Sequence, residues 1–344
     1  VAVAAAAPTA RLSRQTWQFT QDVRIHGSAV VVGPKEGEGP LGSLFDKVYG
    51  DMYAGQKTWE EAERAMLEEA ISLAISKAKL TSQEVDLILA GDLLNQNITA
   101  TFSAQTMGVP LMGMYGACST SMLTLANAAA MVNGGYANYA IAACSSHNAT
   151  AERQFRYPTE YGGQKPPTAQ WTVTGAGAGI VGLGGTGPRI THATVGKVID
   201  MGVHDPQDMG TAMAPAAVST LITHFHDTDR QPKDYDLIVT GDLASVGYAI
   251  AKNLLEQEGY QLGNVYNDCG LMIFSSDQDV FAGGSGCACS AAVTYSYILD
   301  QLQKGFLKRV LVCATGALLS PISTQQGNAI PCIAHAVALE GGGA

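Results

Sequence analysis

The 344-residue sequence predicts an α/β fold assembled from two similar halves, and three observations carry that reading. The string Asp86-Leu-Ile-Leu-Ala-Gly-Asp92 returns as Asp236-Leu-Ile-Val-Thr-Gly-Asp242, a shift of 150. A helical stretch that opens near Cys118, stops at Gly134-Gly135 and leads into a strand has a counterpart that opens near Ala288 and stops at Gly305. Apolar residues make up 47% of the chain and charged residues only 15%, against about 25% in an average domain, so the interior is large or part of the surface is itself covered.

Each copy of the repeated string is a short leucine-rich or β-branched run ended by Gly-Asp, the pattern of a buried strand entering a turn. Before the first copy, Thr58 opens a helix, with Glu61 three residues on as in a capping box. Trp59, Ala62, Met66, Ile71, Ala74 and Ala78 then recur near the helical period and form one apolar face. Lys77 and Lys79 fall in its last turn, where cations oppose the helix dipole. Cys118 lies in Tyr115-Gly116-Ala117-Cys118-Ser119-Thr120-Ser121, a strand-to-helix turn, and the alanine-rich helix after it leads to a strand over 139–144. Segment 145–170 breaks the pattern. It is polar, aromatic and basic without a period, and is expected as a long irregular functional loop. Next, Gly-Ala-Gly-Ala-Gly at 175–179 enters a strand. Further helices are expected over 246–257 and 291–304, and a strand over 310–314. Aligning Gly135 with Gly305 gives a shift of 170, so the second half carries about twenty extra residues between its landmarks. Strands alternating with helices of this length call for parallel or mixed sheets covered on both faces.

Composition removes several function classes. High apolar content with little charge excludes a disordered chain. A net charge of −10 argues against a nucleic-acid partner, which draws a basic surplus. No apolar run reaches the roughly 18 residues of a spanning helix. The opening, Val1 to Ala7, lacks the basic region and cleavage signal of a secretory leader. Seven cysteines without a C-x-x-C pair, mostly in apolar segments, read as the reduced thiols of an intracellular protein. His224-x-His226 shows no third ligand, so no metal is assigned there.

Cys118 is the residue that invites chemistry. At the start of a helix, free N–H groups and the dipole favour a thiolate or a bound carboxylate, although a buried free cysteine is also an ordinary small hydrophobe. Together with the repeat and the glycine run at 175–179, this turn resembles the thiolase superfamily of thiolases and β-ketoacyl synthases. The resemblance implies a thiolase-like five-layered α-β-α-β-α sandwich built from two similar halves. The halves are expected at 20–190, carrying the inserted loop 145–170, and at 191–340. It also implies a homodimer joined near Leu111 to Met114. A condensing enzyme of this class needs a second-half His or Asn to activate the thiolate and hold an oxyanion. Here Gly241 and Gly284 stand where those residues are expected, which argues against catalysis.

Longer strings narrow the likeness. Asp92-Leu-Leu-Asn-Gln-Asn, Gly116-Ala-Cys-Ser-Thr-Ser-Met, the run from Ser145 through Pro166, and Phe281-Ala-Gly-Gly-Ser-Gly-Cys-Ala-Cys-Ser are similar to the stage V sporulation protein AD family of spore-forming bacteria. That resemblance implies a non-enzymatic protein that binds dipicolinic acid (pyridine-2,6-dicarboxylate) or its calcium chelate. It further implies a protein that supports dipicolinate uptake into the forespore, and that sits at the inner forespore membrane through the other membrane proteins of the stage V sporulation A operon. No cofactor is implied, and calcium enters only as the chelate. A flat dianion asks for donors or cations and an apolar wall. The candidates are Cys118, Ser119, Thr120 and Ser121 at the turn, and His147, Arg153, Arg156 and Lys165 in the inserted segment, with Phe155, Tyr157 and Tyr161 for stacking. Arg153 and Arg156 are equally spaced to form a helix face paired with Glu152 or Glu160, and His147 to be a satisfied core residue. The alternative function is an acyl-transferring condensing enzyme that uses Cys118, with His147 or His335 as base.

Overall fold

Duplication is written into the strand order. The computed structural model describes residues 10–156 and 165–342; Val1 to Ala7, and Tyr157, Glu160 and Tyr161 of the inserted segment, lie outside them. The first half runs β1 (Thr16–Gln18), β2 (Val23–Val32), α1 (Trp59–Lys77), β3 (Leu87–Gly91), α2 (Ile98–Met107) and β4 (Leu111–Gly113). It continues with α3 (Thr120–Asn133), β5 (Tyr139–Ser146), α4 (Asn148–Arg156) and β6 (Gly175–Leu183). The second half runs β7 (Arg189–Val195), α5 (Met209–Thr228), β8 (Leu237–Thr240), α6 (Ala244–Gln257) and β9 (Tyr266–Asp268). It ends with α7 (Cys287–Val293), β10 (Arg309–Ala317), α8 (Pro321–Gln325) and β11 (Cys332–Glu340).

Strands pair in the order β2-β6-β5-β3-β4 in the first half and β7-β11-β10-β8-β9 in the second. The two orders are the same, 1-5-4-2-3, when the first half is numbered from β2 and the second from β7. Register repeats as well: Leu87 lies opposite Ala140 on β5, and Leu237 opposite Val310 on β10, the 150 and 170 shifts of the sequence. The two sheets meet at one antiparallel pair, Arg24 with Arg189, and β1 crosses over to pair with β7.

Five layers result. Helices α1 and α2 cover the outer face of the first sheet, where Met66, Leu67 and Ile71 pack on Ile88, Ile141 and Ile180. The central helices α3 and α7 touch both sheets, and Met122, Leu125, Val293 and Val337 fill the space between. Outside the second sheet, α5 and α6 bury Met213, Leu221 and Phe225 against Ile238 and Leu311. Strands buried on both faces explain the unbroken apolar runs that replace polar–apolar alternation. The glycine run of β6 serves the same packing, because a methyl at Gly179 would stand 2.6 Å from the Tyr295 ring.

Two local expectations change. The inserted segment is not irregular throughout: α4 occupies 148–156, with the Ala151 N–H and the Thr150 hydroxyl both bonded to the His147 carbonyl. Helix-favouring Ala, Glu, Arg and Gln residues build it, and the missing apolar period hid it. The second central helix opens at Cys287, next to the expected Ala288, but is not one continuous α-helix: it passes through a π turn, Thr294–Ile298, before Leu299–Gln303. Among the described residues no helix is long and apolar enough to cross a membrane.

Candidate functional site

The site forms where the N-termini of the two central helices meet, with Ser121 Oγ 2.6 Å from Ser290 Oγ. Ala117 takes a left-handed φ of 50°, a sharp turn that sets Cys118 at the opening of α3. The turn's own polar groups are consumed in holding it. Ser119 donates from its amide (3.1 Å) and its hydroxyl (2.6 Å) to the Gly116 carbonyl. Thr120 does the same to the Ala117 carbonyl, at 3.2 and 2.7 Å. The hydroxyls of Ser119, Thr120 and Ser121, expected as ligand donors, are therefore engaged inside the fold.

Next to the sulfur stand Asp242 and Ser285, one residue beyond the two glycines that the sequence placed there. Ser285 Oγ lies 4.0 Å from Cys118 Sγ and donates at 3.1 Å to Asp242 Oδ2, which also accepts the Gly286 N–H at 3.0 Å. Asp242 Oδ1 accepts the Thr315 hydroxyl at 2.6 Å. Gly241 and Gly284 have no room for a side chain. A methyl on Gly241 would sit 2.9 Å from the β10 backbone at Ala314 and Thr315, and one on Gly284 2.9 Å from Ile273.

Electrostatics oppose a thiolate. Burial, followed by the charge of Asp242 and its hydrogen bond to the thiol, pushes the Cys118 thiol well above its ordinary range. These effects outweigh the helix N-terminus that the sequence reading relied on. Burial raises Asp242 itself to about 6. Neither histidine considered as a base stands free. His147 donates from Nε2 to the Met52 carbonyl (2.8 Å) and accepts the Ala149 N–H at Nδ1 (3.1 Å). His335 Nδ1 accepts the Gly196 N–H, and burial lowers its pKa to about 4. His224 spends both nitrogens, on Thr194 and Tyr235.

A cavity of about 30 Å3 opens at Cys118, lined also by Ser285, Thr172, Phe155 and Arg156. Leu93, Phe155 and Leu319 separate it from an outer chamber of about 320 Å3, walled by residues 93–97, Tyr115, Gln154 and 318–321. A water needs at least about 10–15 Å3, so the inner space takes water or one small group, while the outer one reaches the lower end of ligand pockets at about 300 Å3.

Among the cations expected in the inserted segment, Arg156 reaches this cavity. Its side chain is 6% exposed, its Nη1 donates to Glu152 at 2.8 Å, and its Nε–H has no acceptor among the described residues. Glu152 is shared with Lys165 at 2.7 Å, so two cations face one carboxylate and a positive charge is left over. Lys165 lies over the Phe281 ring, away from the cavity, and Arg153 pairs with Glu60 beside the Trp59 ring. The structure thus brings together Cys118, Phe155 and Arg156, and leaves His147, Arg153 and Lys165 outside.

Several wall residues escaped the sequence reading. Asp242 and Ser285 adjoin Gly241 and Gly284, and the sequence alone does not say which of each pair points at the sulfur. Residues 93–97 belong to the string 92–97, which carries the family resemblance without pointing to a wall, and Gln96 and Asn97 both adopt positive φ there. Beneath these walls, buried Glu63 accepts hydroxyls of Ser145 (3.0 Å) and Thr150 (2.9 Å), while Asp92 accepts the amides of Leu94 (2.8 Å) and Ala100 (2.9 Å). Burial and the charge of Asp92 raise Glu63 to about 8.

Comparison with known proteins places this architecture. The sequence profile of the family described as Stage V sporulation protein AD matches residues 13–340. Stage V sporulation protein AD of Bacillus subtilis (strain 168) is 57% identical over 330 residues, 96% of this chain and 98% of that protein. Among solved structures, a single-residue variant of OleA from Xanthomonas campestris is 14% identical with a TM-score of 0.64, covering 97% of this chain and 99% of its own. The 3-oxoacyl-(acyl-carrier-protein) synthase III of Aquifex aeolicus VF5 is 15% identical with a TM-score of 0.56, over 92% and 99% of the two chains. These distant likenesses establish a thiolase-like α/β sandwich and nothing about chemistry. The chain belongs to the stage V sporulation protein AD family of sporulation proteins.

Proposed function

We propose that this protein is a non-catalytic receptor for dipicolinate, free or as its calcium chelate, and that it supports dipicolinate uptake into the forespore. One observation carries the reading: a buried guanidinium, Arg156, with an uncommitted Nε–H at the wall of the Cys118 cavity. A desolvated cation is costly without a counter-charge, and a planar carboxylate matches a guanidinium edge. One carboxylate of the ligand sits at Arg156, and the pyridine ring occupies the outer chamber between Phe155 and Tyr115, since the inner space is too small for it. The side chains of Asn95, Gln96 and Gln154 make no hydrogen bond among the described residues and stand ready for the second carboxylate.

The thiol is a wall and not a nucleophile in this reading. A carboxylate beside it, where a condensing enzyme needs a group that favours the thiolate, supports that assignment. The protein works beside the membrane proteins of the same operon at the inner forespore membrane, with no cofactor of its own. The homodimer falls on β4, which pairs with β3 alone among the described residues and exposes Met112.

Isothermal titration with dipicolinate, with and without calcium, tests the proposal. Saturable heat is expected, and Arg153→Ala leaves it unchanged because Arg153 faces Glu60. Absence of heat from protein shown to be folded rejects the receptor reading.

A further inference from the structure

We propose that Asp242 is a specificity-determining group of the inner cavity, taking up one proton as an anion binds and thereby turning the Ser285 hydroxyl into a donor toward the ligand. The inference rests on the dipicolinate reading above and adds to it a coupling between anion and proton.

Ser285 Oγ carries one hydrogen, and it is spent on Asp242 Oδ2 at 3.1 Å. The Cys118 thiol is likewise drawn toward Asp242. With Asp242 ionised, the cavity floor therefore offers lone pairs and negative charge, and an entering carboxylate is repelled. A proton from solvent on Oδ2 reverses this. The carboxyl then donates to Ser285 Oγ, and the Ser285 hydrogen is released to point into the cavity. The one covalent change is the new O–H bond at Oδ2, whose proton comes from the buffer acid in solution; Thr315 keeps its 2.6 Å contact with Oδ1.

The surroundings single out Asp242 for this role. The groups that feel its charge or bond to it are Cys118 in the turn before α3, Cys289 of α7, Thr315 of β10, Cys332 of β11, Asp268 at the end of β9 and Cys269 after it; Arg156 of α4 lines the same cavity as Ser285. Burial pushes all four thiols up, so they stay neutral near pH 7. Arginine keeps its charge throughout. Asp268 is raised to about 7, but its oxygens are taken by the Thr240 hydroxyl and the amides of Leu243, Ala244 and Gly270, and it does not line the cavity. Asp242, 1% exposed and already lifted by burial, is joined to the cavity through Ser285, and a second negative charge raises it further.

Titration calorimetry at pH 7 in buffers of different ionisation enthalpy counts the protons. Close to one proton taken up per dipicolinate is expected, and Kd should rise about tenfold between pH 7 and pH 8. The ligand's own carboxyls, titrating near pH 4, contribute nothing in that window. Asp242→Asn should bind without proton uptake and without pH dependence. Ser285→Ala should weaken binding at pH 6 and change it little at pH 8. If Asp242→Asn fails to fold, the buffer series on the unaltered protein decides alone. Binding with a proton count of zero overturns this inference and leaves the receptor standing; no binding at any pH overturns the receptor itself.

Discussion

Replacing Arg156 with Met isolates the group on which the receptor reading depends. Met keeps an apolar stem of similar reach and removes the guanidinium. The fold has little to lose. Glu152 retains Lys165 at 2.7 Å, and a buried N–H without an acceptor disappears along with the charge. Binding has much to lose. A hydrogen bond to a charged group contributes about 1.5–3 kcal/mol, and each 1.4 kcal/mol is tenfold in affinity, so Kd should rise roughly 10- to 150-fold. Titration calorimetry gives Kd, and differential scanning calorimetry shows whether Tm has moved. A companion variant, Glu152→Gln, withdraws the carboxylate that partly neutralises Arg156 and should tighten binding. Unchanged affinity in Arg156→Met, with Tm also unchanged, would refute the assignment. So would weaker binding in Glu152→Gln.

Three further outcomes follow from the geometry. Incubation with acyl-CoA should leave the intact mass unchanged, and iodoacetamide at pH 8 should modify Cys118 slowly, because burial and Asp242 hold it as a thiol; an adduct lost in Cys118→Ser would restore the acyl-transfer alternative. Glu63, raised from its ordinary carboxyl range to about 8, keeps its proton on folding. Its contribution to stability is therefore full at low pH and is lost as pH climbs toward 8, by up to about 1.4 kcal/mol per pH unit. The buried histidines His192, His224 and His335, lowered to about 4, 3 and 4, do not offset this above pH 6.5. Glu63→Gln should thus raise Tm at pH 8 relative to the unaltered protein and lose that advantage near pH 5; the opposite ordering counts against a protonated Glu63. Met112→Asp on the free edge of β4 should shift the protein from dimer to monomer in sedimentation velocity, while a persistent dimer moves the interface elsewhere.

The fold was legible because its signals are local. Strand strings ended by Gly-Asp, glycines that stop helices, and the 150 and 170 offsets between copies survive as residue patterns, and the same offsets reappear in strand register. The site was less legible. Cys118 stood out through its turn, but the groups that face it come from residues 242 and 285, whose identity depends on which of two adjacent positions points inward. A shift of one residue exchanges a glycine for a carboxylate at the sulfur. Nor does sequence show which cations are already spent. Arg153, Arg156 and Lys165 looked alike until Glu60 and Glu152 were seen to neutralise them unequally. Helix α4 shows in the sequence only through the Arg153–Arg156 spacing beside Glu152, a pairing that the structure makes at Arg156, because it is held by His147 and Thr150 and not by a repeating apolar face.

Helix α4 has nine residues and carries the cation at its last position, whereas the floor beneath it belongs to the central layer shared by both sheets. Charge recognition is therefore split between a short peripheral helix, which brings the guanidinium, and the interior, which brings the Asp242–Ser285 pair. Re-aiming the receptor at a guest of different charge requires changes in both, one of them cheap for the fold and the other not.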